Sequence, residues 1–206
     1  MYQPEHFKED RIEVLHGLIR SHPFGLLISN GAEGLLANGL PFYLDAATGN
    51  LKAHFARAND HWRNLDGQQV LIVFQGPQTY ISPSLYVTKQ ETGKVVPTWN
   101  YVMVQARGIA RVHDDAQWLV QQIQELTHSN EARRSQPWAV TDAPAPYIQS
   151  QLRGIVGVEI AISSIEGKWK LSQNRSEADK RSVADGLENE EVARLVRERM
   201  AQASVE

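Results

Sequence analysis

The stretch His54-Phe55-Ala56-Arg57-Ala58-Asn59-Asp60-His61-Trp62-Arg63 runs from an apolar segment into a capping asparagine. Backbone N–H groups left free at a helix start attract phosphate, and an arginine beside them adds a two-pronged charged contact. The same residues also suit a plain strand end with a cap and a surface Arg. In Gln75-Gly76-Pro77-Gln78-Thr79-Tyr80-Ile81-Ser82-Pro83, Gly and Pro let the backbone come close to a flat ligand. Gln75, Tyr80 and Ser82 carry hydrogen-bond groups suited to the polar edge of a flavin, or to satisfying one another at a corner. Trp99, Asn100 and Tyr101 put two aromatics around an amide, able to stack on a ring or to pack in a core. In Gly167-Lys168-Trp169-Lys170-Leu171-Ser172-Gln173-Asn174-Arg175, an extended chain puts Lys168, Lys170, Ser172 and Asn174 on one side. That polar line can reach an anion or simply face water.

These residues need elements to hold them. Ile12, Leu15, Leu18 and Ile19 share a helical face, with Asp10 available as a cap and Pro23 as the stop. Phe24 to Ser29 reads as a short buried strand closed by an Asn30-Gly31 hairpin signal. Leu35 to Leu44 and Leu51 to Phe55 are extended, with Pro41 marking an edge or bulge. A short helix over 59–65 follows. Gln69 to Gln75 is the most apolar strand, broken by Gly76-Pro77, and 79–82 is a brief extended stretch. The spacing predicts a polar loop over 87–95, a long strand over 98–113 with Gly108 as a bulge, and a helix over 114–128. It predicts an irregular segment over 132–146, a strand over 155–162, and two short helices from Ser176 separated near Gly186. Short strands with helices at the ends predict a small β-barrel with helical decoration, mainly β with helices, in one domain over 1–206 with 176–206 as a helical extension.

Bulk properties exclude several classes. The 206 residues contain no cysteine, which removes disulfides and thiolate chemistry. The N-terminus lacks a basic region followed by an apolar run, so no signal peptide is expected, and no run is long enough for a membrane span. These features point to the cytoplasm and to no membrane. The formal net charge of −3 gives a weak footprint for nucleic acid. His16 and His22 do not share a helical face, no carboxylate completes a ligand set with His54 and His61, and no metal is expected. No Ser-His-acid spacing stands out.

Five co-linear motifs span nearly the whole chain: Met1-Tyr2, Pro4 and His6-Phe7; His54 to Asn59 with Trp62; Phe74 to Ser84 with Tyr86; Val96 to Tyr101; and Gly154 to Ile160 followed by Glu166 to Arg175. In this order they resemble the PaiB family, also called FMN-binding negative transcriptional regulators. The resemblance implies an FMN-binding split β-barrel of the pyridoxamine-phosphate-oxidase-like type, with helical N- and C-terminal additions. It implies a homodimer with FMN in the groove between subunits. Carried over by position, Arg57, Ala58 and Asn59 would hold the FMN phosphate, with His54 at the strand end below. Gln75, Tyr80 and Ser82 would approach the isoalloxazine or ribityl portion. Trp99, Asn100 and Tyr101 would lie near the dimer groove, and Lys170, Ser172 and Gln173 would reach the partner's ligand. The basic phosphate strand and C-terminal substrate Arg of the oxidases have no counterpart here, which argues against that activity. Two roles stay open: repression of transcription, direct or indirect, and flavin-dependent oxidoreductase or flavin reductase chemistry using NAD(P)H.

Overall fold

A computed structural model describes residues 1–203; residues 204–206 of the expected C-terminal extension lie outside them. The strands are β1 (Lys8–Glu9), β2 (Phe24–Gly31), β3 (Gly34–Pro41), β4 (Tyr43–Leu44), β5 (Leu51–Ala56), β6 (Gln69–Ile81), β7 (Thr98–His113) and β8 (Ile155–Lys170). The helices are α1 (Ile12–Ser21), α2 (Thr88–Thr92), α3 (Ala116–Glu131), α4 (Ala145–Leu152), α5 (Glu177–Gly186) and α6 (Glu190–Ala203). Hydrogen bonds join the strands in the order β3-β2-β6-β7-β8-β5-β4, with β1 beside β8. The chain divides into two compact units.

The first unit comprises residues 1–15, 75–104 and, among the described residues, those from 166 to 203. Its core includes Ile81, Tyr86 and Val183, with Leu85, Val95 and Leu187 packed against them. Ser176 caps α5 by accepting from the Asp179 amide, and Asn189 accepts from the Val192 amide at the start of α6. Both helices thus begin where a short polar side chain precedes an apolar period. Asp10 is not the cap of α1. Its carboxylate pairs with Lys8, and Glu9 takes the Arg11 amide instead.

The second unit comprises residues 16–74 and 105–165. Buried Ile19, Leu27, Leu51, Phe55, Ile72 and Phe74 fill its core, with Phe42 edge-on to Phe74 at 5.6 Å. The β2–β3 hairpin turns at Ala32-Glu33, since Gly31 and Gly34 are cross-strand partners, two residues beyond the expected Asn30-Gly31 turn. Nor is β2 buried on both faces. Leu27 and Ser29 point inward, while Phe24 and Leu26 are 69% and 42% exposed.

Several local expectations fail for tertiary reasons. Gly76-Pro77 does not break β6, which runs through both residues to Ile81. The expected 59–65 helix is a 3-10 turn over Asp60–Asn64. The polar 87–95 loop contains α2, closed by Gly93 in the left-handed region at φ 66°. The irregular 132–146 stretch ends in α4, with Pro144 ahead of its first turn. Gly108 marks a close backbone approach: a Cβ there would lie 2.2 Å from the Ala161 carbonyl oxygen.

Candidate functional site

In the second unit, β5 ends by delivering His54 and Arg57 to one edge. Arg57 already uses four of its five guanidinium N–H donors. Its Nη1 donates to Asp114 Oδ2 at 3.0 Å and its Nη2 donates to Asp114 Oδ1, while Nε and Nη2 also donate to the carbonyls of Arg153 and Ile155. These bonds leave a single guanidinium N–H over. The Asp114 carboxylate is held below its usual range by the hydrogen bond from Arg57. Ala58 is exposed beside it. Arg57, Asp114 and Arg153 line an open cleft of about 420 Å³ with Ala116, Leu119 and Leu152. An incoming phosphate therefore meets an arginine whose anion position is filled by Asp114.

His54 is half-buried, its Nδ1 donating to Gln122 Oε1 at 2.8 Å. Gln122 is fully buried and its Nε2 has no partner among the described residues.

A polar ring the sequence did not reveal surrounds His61, whose imidazole packs against the Phe55 ring. His61 Nε2 is 2.6 Å from Ser29 Oγ, and both residues are buried. Asn38 Nδ2 is 2.7 Å from His61 Nδ1, and Asn59 Nδ2 donates to Asn38 Oδ1 at 2.9 Å. The ring closes where the His61 backbone N–H donates to Asn59 Oδ1 at 3.1 Å. That last donor is a peptide and cannot be reversed, so it fixes every other proton. Asn59 must present its oxygen to the peptide and its NH2 to Asn38. Asn38 must then offer its NH2 to Nδ1, which is a bare acceptor, and the imidazole proton sits on Nε2, donating to Ser29. Despite the serine–histidine–amide arrangement, His61 is not placed to deprotonate Ser29. The available signal was Ser29 and Asn38, polar residues at inward positions of otherwise apolar strands.

Burial lowers the pKa of His61 from its usual 6.5. A depressed histidine pKa means the unfolded chain takes up protons first, so the contribution of His61 to stability is held above pH 6.5 and lost as pH falls through the folded value. Long-range proton–nitrogen NMR at neutral pH is expected to find the His61 proton on Nε2. A proton on Nδ1 would refute the ring.

In the first unit, Tyr80 and Trp99 meet edge to face at 6.0 Å between ring centres, 48% and 52% exposed. Exposed aromatic pairs with this geometry offer a face to a flat ligand. Gln75 donates to Gln78 Oε1 at 2.8 Å, and Ser82 Oγ is 2.7 Å from Ser84 Oγ. Asn100 is fully buried and donates to Ser172 Oγ at 3.0 Å. Ser172 has φ 66°, the only non-glycine residue with positive φ among those described, a conformation costing about 1–3 kcal/mol. The Asn100 bond helps hold it there. Lys170 Nζ donates to Thr98 Oγ1 at 2.6 Å and to the Trp99 carbonyl. Burial, then Lys168 and Arg175, push its pKa below the usual lysine value. The Tyr101 ring lies 5.6 Å from Lys168 Nζ. Gln173 accepts from the Leu171 amide and donates to the Trp169 carbonyl, so the chain turns after Lys170 instead of continuing the expected extended line.

Each unit thus gathers its own share of the expected residues: His54, Arg57, Ala58 and Asn59 in one, and Gln75, Tyr80, Ser82, Trp99, Asn100, Tyr101, Lys170, Ser172 and Gln173 in the other. The second set fits the ring and polar edge of a flavin. The first fits a phosphate once Asp114 yields Arg57. Among the described residues no group of three or more His, Asp or Glu could hold a metal ion, and no helix is long and apolar enough to cross a membrane.

The fold matches that of a conserved hypothetical protein of Mycobacterium tuberculosis with a TM-score of 0.60 at 13% identity, covering 86% of this chain and 95% of that one. This is a mixed α+β split β-barrel, built on an antiparallel sheet. Residues 1–164 match the family model described as "Putative FMN-binding domain". An uncharacterized protein of Emericella nidulans is 34% identical, covering 97% of each chain. The "Protease synthase and sporulation protein PAI 2" of Bacillus subtilis is 32% identical, covering 93% of this chain and 91% of the relative. The chain belongs to the PaiB family of FMN-binding split-barrel proteins, and its cofactor is FMN.

Proposed function

We propose that the protein works as a homodimer whose bound FMN is the working group, and that flavin-dependent oxidoreductase chemistry is the activity its geometry favours. The solvent-facing Tyr80–Trp99 pair, rimmed by Gln75 and Ser82, carries the reading. FMN supplies hydride and electron transfer, so the protein need only hold and tune it. Gln75, Tyr80 and Ser82 approach the ring, with Trp99, Asn100 and Tyr101 beside them. Arg57, Ala58 and Asn59 take the phosphate, and His54 supports them from β5. Lys170, Ser172 and Gln173 reach the flavin of the partner subunit. PaiB-type repression is the second reading, favoured by the 32% identity to the B. subtilis sporulation protein. With a net charge of −3, it acts indirectly or through a patch formed in the dimer.

Titration with FMN tests the common ground, and no binding at micromolar FMN would sink it. Arg57→Ala is expected to weaken FMN by about 1.5–3 kcal/mol, whereas Asp114→Asn, by releasing Arg57, is expected to tighten FMN and leave riboflavin unchanged. Equal effects on both flavins would remove Arg57 from the phosphate site. FMN-dependent NAD(P)H oxidation favours the enzyme. A salt-sensitive shift of promoter DNA favours regulation.

The dimer reading rests on the hairpin. Phe24, Leu26 and Ile28 share one face with their cross-strand partners Pro41, Gly39 and Ala37, and Leu35 extends it. Half-buried Val73 and Leu71 continue the face on β6, opposite Leu26 and Ile28. An apolar sheet face of this kind marks an interaction surface. Sedimentation is expected to give a dimer that Leu26→Lys converts to monomer. A monomeric wild-type protein at micromolar concentration would refute this.

A further inference from the structure

Among the described residues of the first unit, Lys168, Lys170 and Arg175 make their contacts with carbonyls, a hydroxyl and ring faces. Lys168 and Lys170 lie two residues apart on β8 and share a face of the strand. Lys168 is buried, 8% exposed. Its Nζ donates to the Tyr2 carbonyl at 3.0 Å and sits 5.4 and 5.6 Å from the centres of the Tyr2 and Tyr101 rings. Lys170 has a hydroxyl and a carbonyl as acceptors, and the Phe7 ring at 5.8 Å. Half-buried Arg175 lies over the Tyr86 ring at 4.6 Å. The three charges are near enough for Lys168 and Arg175 to disfavour the charged form of Lys170.

Four acids of this unit have partners of their own. Glu9 holds Arg11 and Arg199, Asp10 holds Lys8, and Glu166 holds the N-terminal amine. Asp179 accepts from the Thr88 amide and hydroxyl. Carbonyls and ring faces solvate a cation without neutralising it, and buried cations are ordinarily paired with an anion. Burial raises the pKa of the Tyr86 hydroxyl, and the Arg175 guanidinium beside it pulls the other way. The Trp99 carbonyl bonded to Lys170 ties the cluster to the exposed Tyr80–Trp99 pair.

We infer that Lys168, Lys170 and Arg175 form an oxyanion site for a second ligand: the pyrophosphate or phosphate end of a small-molecule co-substrate presented to the flavin. Three cations match a multiply charged oxyanion, and Arg175 supplies a planar fork for it. The assignment rests on the flavin reading.

The probe is inorganic pyrophosphate, titrated by calorimetry at low salt into the full-length protein with and without saturating FMN. The wild type is expected to bind it, more weakly as salt rises. Arg175→Gln is expected to lose about tenfold in pyrophosphate affinity, with Arg175→Lys recovering part of it and FMN affinity unchanged. Absence of pyrophosphate binding at millimolar concentration overturns the inference, as does equal binding by Arg175→Gln. An Arg175→Gln protein that binds FMN more weakly but riboflavin unchanged also overturns it, because Arg175 would then hold the flavin's own phosphate. If the wild type fails to bind FMN, the flavin reading falls by itself, and the titration without FMN still decides whether the oxyanion site exists.

Discussion

Glu9→Ala is expected to lower stability by about 3–5 kcal/mol, the range for breaking a buried ion pair from one side. The Glu9 side chain is 2% exposed. Arg11 grips it through Nε at 2.9 Å and Nη2 at 2.7 Å, its own amide adds a bond at 3.0 Å, and Arg199 reaches the same carboxylate from α6. Removing the carboxylate leaves Arg199, mostly buried, facing Arg11 without an anion. It also removes the Arg199 tie between the last helix and the N-terminal segment. Burial alone would raise the Glu9 pKa, but the hydrogen bonds from Arg11 and Arg199 outweigh it and bring it from 4.5 to about 2. The sign follows. A carboxyl pKa depressed in the fold means the unfolded chain binds the proton first, so the stabilisation is complete above pH 4.5 and drains away as pH falls through about 2. Urea unfolding at a series of pH values measures it. The wild type should lose stability steeply across that window, and Glu9→Gln should be flatter there. Parallel curves would show that Glu9 is not the carboxylate responsible.

Gly108→Ala is expected to cost about 3 kcal/mol, the upper end for overpacking. The new Cβ would stand 2.2 Å from the Ala161 carbonyl oxygen and 2.7 Å from Ile160 Cγ2. The first obstacle is backbone in β8 and cannot rotate aside, so the two strands must separate locally. Gly17→Ala is the control. In α1 its Cβ meets nothing within 4 Å, and alanine in a helix is favoured over glycine by about 0.8–1 kcal/mol. The same chemical change should therefore destabilise at one site and stabilise at the other, as read from urea midpoints. If Gly108→Ala proves neutral, β7 and β8 are not as close there as the structure has them.

The contrast between these glycines separates what can be read along the chain from what cannot. Periodicity located β7 at Thr98–His113 and the two helices after Ser176, because apolar spacing and caps are local properties. It also recognised Gly108 as special, but for a bulge, since the neighbouring Ala161 carbonyl is 53 residues away in sequence. Gly76-Pro77 looked like a strand break because turn propensity is local, whereas strand pairing carries β6 through it.

The candidate site divides in the same way. The five ordered motifs determined the family, the split barrel and FMN, because type and order of residues are all that such a match requires. Only the folded chain could give Arg57 its partner. Asp114 is 57 positions along the sequence, and nothing in either residue's neighbourhood announces the pair. Likewise His61 was legible as a histidine, but its bare Nδ1 and protonated Nε2 were decided by Ser29, Asn38 and Asn59 meeting around it. Composition, order and local period are written in the chain. Which donor faces which acceptor, and which charge is left without a partner, depends on segments far apart in sequence, and tertiary packing alone brings those together.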